Sequence, residues 1–72
     1  MYKVEILVEK FVPEHSYKKE IVKFFSLFTA RCKARDYASC NDVENVDVID
    51  EETGEVMLSL NYNGEVVWDS EG

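Results

Sequence analysis

Two turn signals, Asp50-Glu51-Glu52-Thr53-Gly54 and Asn63-Gly64, divide the C-terminal part of the chain into three short segments rich in Val, Ile and Leu. Gly54 supplies the positive φ that a short loop needs, and Asn-Gly is the favoured pair of a two-residue type I′ hairpin. The segments Val43 to Asp50, Glu55 to Tyr62 and Glu65 to Asp69 therefore read as an antiparallel meander. With Asn63-Gly64 as a two-residue loop, Tyr62 opposes Glu65, Leu60 opposes Val67, and Ser59 opposes Trp68. One face then carries Val46, Val48, Val56, Leu58, Leu60 and Val67. The other carries Ile49, Met57, Val66 and Trp68.

The N-terminal half supplies what covers this sheet. Tyr2, Val4, Ile6 and Val8 alternate with Lys3, Glu5, Leu7 and Glu9, the period of a half-buried strand running from Tyr2 to Phe11. Val12-Pro13 ends it, because proline donates no ladder hydrogen bond. At 100° per residue, Tyr17, Ile21, Phe24, Phe25, Phe28 and Cys32 share one arc, which predicts an amphipathic helix. Ser16 caps it, with Pro13 as an alternative first helical position. It ends between Lys33 and Tyr37, and Asp36 to Asp42 connects it to the meander. If the first two strands run parallel, the crossover between them is right-handed.

A chain of 72 residues holds one core and therefore one domain, of modest stability. The expected fold is α+β, in the order β-α-β-β-β, with one helix on one face of a four-stranded sheet whose strand order is open.

The net charge of -7 is unevenly spread. Residues 1 to 35 hold all eight Lys and Arg against four acids, a net +4, while residues 36 to 72 hold eleven acids and no Lys or Arg, a net -11. Such a chain repels polyanions as a whole. No apolar run approaches membrane-spanning length, and Met1 to Glu5 lacks the unbroken apolar stretch of an export signal. With two cysteines and no such signal, the expected location is the cytoplasm, with reduced thiols.

The candidates for chemistry are few. His15, the sole histidine, adjoins Ser16, but neighbours at a helix start rarely face each other, so a capping or surface role is the simpler reading. Cys32 and Cys40 stand eight apart, which matches no common zinc spacing. Cys32 falls on the apolar stripe and reads as a core residue, while Cys40 is an exposed thiol or its partner under oxidation. Asp47, Asp50, Glu51, Glu52 and Glu55 lack the alternating order of a calcium loop, and the isolated glycines make no phosphate loop. Phe24, Phe25 and Phe28 read as core; Lys18, Lys19, Lys23 and Lys33 read as a solvated basic flank of the helix. No enzyme, metal or cofactor is expected.

Two features remain: the acidic C-terminal half and the apolar group Ile49, Met57, Val66 and Trp68, with Leu7 beside it, on the face that a lone helix leaves open. Exposed apolar groups mark interfaces. The expected function is a non-enzymatic interaction protein whose contact surface comprises Ile49, Glu51, Glu52, Glu55, Met57, Val66, Trp68 and Asp69. It would occupy a basic, nucleic-acid-binding surface of a partner protein, and would itself bind neither nucleic acid nor membrane. In size and charge the chain resembles phage-encoded inhibitors of nucleic-acid enzymes. The alternative is a homo-oligomer, such as a homodimer, that buries the same helix-free face.

Overall fold

A computed structural model describes residues 1–10 and 16–72. The fold is α+β, as the sequence predicts, but with five strands and the order β-β-α-β-β-β. The elements are β1 (Tyr2–Lys10), β2 (Ser16–Phe24), α1 (Leu27–Ala38), β3 (Val43–Asp50), β4 (Val56–Leu60) and β5 (Val66–Asp69). They build one antiparallel sheet in the order β2-β1-β3-β4-β5. The predicted turn at Val12-Pro13 and the candidate His15 lie outside the described residues.

The largest correction concerns the helix. Residues Ser16–Phe24 form a strand paired with β1 along its whole length, from Tyr2 opposite Phe24 to Lys10 opposite Ser16. The helix begins after it, with Ser26 rather than Ser16 as the N-cap; the Ser26 hydroxyl accepts from the Thr29 N–H at 3.4 Å. Its buried stripe is Ala30, Ala34 and Ala38, one residue per turn, rather than the phenylalanines. Three methyl side chains let α1 lie close on the sheet, mainly across β3. Phe24 packs half-buried at the core's margin, whereas Phe25 and Phe28 are 87% and 77% exposed. Cys32 is exposed too, so it is not the core residue that its spacing suggests. Lys18, Lys19 and Lys23 belong to β2 and make no helical flank.

β1 and β3 are antiparallel, so the expected parallel crossover between them does not exist. The helix instead connects β2 to β3, two strands that run the same way on either side of β1.

The core is two rows of side chains crossing the sheet beneath the helix. Val22, Val4, Val48, Leu58 and Asp69 form the first; Glu20, Ile6, Val46, Leu60 and Val66 form the second. The middle three members of each are buried. The end members are less buried: Glu20 and Val66 are exposed, Val22 is half-buried against the core, and Asp69 is a half-buried carboxylate.

Both hairpins follow the turn residues but not the expected loop length at the second. Gly54 has φ +75° and its N–H donates to the Asp50 carbonyl. In the second hairpin Asn61, not Tyr62, bonds with Glu65, which leaves the three-residue loop Tyr62, Asn63 and Gly64. Gly64 has φ +77° and no other described residue but Gly54 has positive φ, whereas a type I′ turn would need Asn63 there as well. Nothing lies within 4 Å of a Cβ built on Gly64. Gly64→Ala is therefore expected to lose about 1 kcal/mol from backbone conformation alone, read as a lower urea midpoint with unchanged slope.

Register shifts also move four predicted side chains, Val56, Met57, Val66 and Val67. Leu60 opposes Val66 instead of Val67, although Ser59 opposes Trp68 as expected. Val67 is exposed instead of facing the helix. A shift between Val48 and Ile49 sets Val56 opposite Ile49, so Val56 leaves the helix side and half-buried Met57 packs on the core.

Candidate functional site

The helix covers one face of the sheet, and the other face has no element over it among the described residues. Its central row, read across the strands, is Ile21, Glu5, Asp47, Ser59 and Trp68. A second row is Lys23, Lys3, Ile49 and Val56. Strand alternation dictates both sets except Val56, which the register shift between Val48 and Ile49 sets opposite Ile49.

Glu5 and Asp47 stand directly opposite each other, an unfavourable pairing unless each charge is met elsewhere. The Lys3 ammonium lies 3.0 Å from one Glu5 oxygen and that of Lys19 lies 3.3 Å from the other. The hydrogen bond from Lys3, then the contact from Lys19, hold the Glu5 carboxyl below its ordinary range against the opposing effect of burial. Asp47 accepts from the Ser59 hydroxyl at 2.6 Å and from the Asn45 amide at 3.4 Å. The lysines of β1 and β2 are thus partly spent on Glu5, while Asp47 is held by neutral donors and has no ion pair among the described residues.

At the far edge, the Trp68 indole N–H donates to the Val56 carbonyl at 2.9 Å, and the side chain remains 54% exposed. That bond satisfies the indole's single donor and fixes the ring beside Val56, which stands opposite half-buried Ile49. Ile49, Val56 and Trp68 thereby make one apolar group on the open face. The β3–β4 loop adjoins it and carries Glu51, Glu52 and Glu55. Glu51 pairs with Lys23 at 3.1 Å; Glu52 and Glu55 are exposed and have no ion pair among the described residues.

Five of the eight residues proposed from sequence are gathered here: Ile49, Glu51, Glu52, Glu55 and Trp68. Three are not. Met57 packs toward the core, and Val66, opposite Leu60, lies on the helix side. Asp69, opposite Leu58, also faces the helix, where both its oxygens accept from Arg31 at 3.0 and 2.8 Å. Val56 is the member that sequence reasoning misses, because strict alternation cannot foresee a bulge.

The Arg31 bond, followed by the Glu71 N–H, lowers the Asp69 carboxyl from 3.8 to about 2. A depressed folded-state value contributes stability that is complete above about pH 4 and disappears as the pH falls toward 2. Asp69→Asn is expected to lower the melting temperature at neutral pH and to shrink the further loss between pH 4 and pH 2, measured by circular dichroism. An equal acid-dependent loss in both proteins would remove this pair from the account.

Comparison with protein-family models, with curated proteins and with solved structures finds no match to the chain.

Proposed function

We propose that this chain is a non-enzymatic interaction protein that places the β3–β5 half of its open sheet face on a basic surface of a partner protein, of the kind that otherwise holds nucleic acid. The observation that carries the reading is the half-exposed indole of Trp68, held by Val56, which stands opposite Ile49, with Glu52 and Glu55, unpaired among the described residues, in the loop that leads into Val56. Aromatic side chains at the centre of a contact supply most of its affinity, and complementary charge speeds encounter and selects the partner.

The charge asymmetry of the sequence becomes spatial in this fold. β3, β4 and β5 are neighbours in the sheet and come from the segment without Lys or Arg, so that side of the sheet carries acids with no basic residue among them, while Glu5 and Glu20 stand among the lysines of β1 and β2. Basic residues lie on β1, β2 and α1. On the open face Trp68 stands on the edge strand β5, while Glu51, Glu52 and Glu55 stand in the loop between β3 and β4. Occupancy of a basic surface by this face would exclude nucleic acid from the partner and make the chain an inhibitor. Among the described residues no helix is long and apolar enough to cross a membrane. We place the protein in the cytoplasm, where its exposed thiols at Cys32 and Cys40 stay reduced.

The test is capture from source-cell lysate by the immobilised chain, with a Glu51→Gln, Glu52→Gln, Glu55→Gln variant beside it. The expected catch is a basic protein that is released by raised salt, lost by the variant, and blocked from binding duplex DNA by the parent chain. Recovery of the same proteins by both baits would overturn the reading.

A further inference from the structure

We infer that the outer edge of β2 is a self-association site, where a second copy of this chain adds its own β2 antiparallel and joins two five-stranded sheets into one of ten strands. β2 is an edge strand of nine residues, and no described segment pairs with its outer side. An edge of this length presents a row of unmet backbone donors and acceptors, which proteins ordinarily cover or guard. Here Ser16 to Ile21 are all exposed, including Tyr17 at 58% and Ile21 at 51%.

The occupant is identified by the strand's complementarity to itself. A two-fold axis through Lys19 sets residue i against residue 38 − i of the other copy. Lys18 then opposes Glu20 twice, on the helix side of the sheet. Tyr17 opposes Ile21 twice, on the open side. Opposite charges and aromatic–β-branched pairs are the cross-strand contacts that stabilise antiparallel ladders, and a self-complementary patch is what a two-fold dimer requires.

Neighbouring registers do not share this property. Moving the axis to Glu20 sets Glu20 against Glu20, and moving it to Lys18 sets Lys18 against Lys18; neither brings Tyr17 opposite Ile21. In the chosen register the one like-charge contact is Lys19 against Lys19, and each of these ammonium groups already lies 3.3 Å from Glu5 of its own chain. The Lys18–Glu20 pair within one chain is long, at 3.7 Å, with both side chains about half exposed, so both are available to a second copy.

Because the paired residues have equal parity, the two open faces point the same way. The Trp68 groups lie at the outer strands, nine inter-strand steps or roughly 43 Å apart. The dimer would thus carry two copies of the acidic surface on one side. This site shares no residue with the proposed partner surface, so either can fail without the other.

Sedimentation equilibrium of the full chain from low micromolar to millimolar concentration reads the result. The parent is expected to pass from 8.4 kDa to twice that mass. Glu20→Lys and Lys18→Glu should each weaken the dimer by about tenfold or more, since each converts two attractive contacts into repulsive ones. The double variant Lys18→Glu, Glu20→Lys should regain it, and an equimolar mixture of the two single variants should form a heterodimer. Trp68→Ala should leave the association unchanged. A parent that stays monomeric throughout, a dimer indifferent to both charge reversals, or a dimer abolished by Trp68→Ala would overturn the inference.

Discussion

Leu58→Ala is expected to leave the domain largely unfolded at 25 °C. Leu58 is fully buried in β4, between Val48 on β3 and Asp69 on β5, and belongs to the core covered by the helix. Truncating a buried leucine costs about 2–5 kcal/mol, because the lost transfer energy is joined by that of the cavity left behind. A single core in a chain of this size rarely supplies more than about 3–5 kcal/mol in total. The two ranges overlap, so the variant should lose most of its folded population in a urea titration followed by circular dichroism. Ile49→Ala removes a comparable side chain from the half-buried open face and should cost less. A Leu58→Ala protein with a midpoint within experimental error of the parent would show that the core is not where the two buried rows place it.

Trp68→Ala should reduce capture of the basic partner by about 30-fold or more, the effect of losing an aromatic anchor worth about 2 kcal/mol. Folding should be affected far less, because the indole is half exposed and its one hydrogen bond, to the Val56 carbonyl, lies at the sheet margin. Isothermal titration with the captured partner, alongside melting curves of both proteins, separates the two effects. An unchanged affinity would move the contact surface away from Trp68.

The parts of the fold legible in the sequence are those where a short-range signal and the tertiary environment agree. β1 alternates cleanly because one side faces the helix and the other faces out. The three C-terminal strands are bounded by Gly54 and Gly64, both of which take the positive φ that makes them recognisable. The helix is misplaced by its apolar period because its true stripe is alanine, whose small apolar surface gives a weak periodic signal, while large aromatics draw the period elsewhere. Tyr17 and Ile21 are four residues apart and so fit a helix; they equally share one face of a strand, which is where they lie. β2 shows no clear alternation since only Val22 and Phe24, at its C-terminal end, pack against the core. The Ser26 cap and the spacing of Ala30, Ala34 and Ala38 are the readable signals for α1.

The candidate surface is legible to the extent that it depends on which residues lack cover. Trp68 and Ile49 reach the open face as alternation requires. Two register shifts carry Met57, Val56 and Val66 away from their expected sides, and no residue in β4 or β5 announces a bulge. Asp69 passes for a surface acid in the sequence because its partner, Arg31, lies 38 positions away, on an element whose limits the apolar period sets wrongly. Its charge belongs to the bond that ties β5 to the helix rather than to the partner surface.

Trp68 is the chain's single tryptophan, so one label reports on the proposed contact. With 5-fluorotryptophan incorporated, the fluorine resonance of the free protein should be sensitive to solvent. On addition of the captured basic partner it should shift, broaden and lose that sensitivity, in proportion to the fraction bound. A partner that binds at saturation while the resonance stays at its free position and remains as open to water would contradict the assignment of this face as the site of contact.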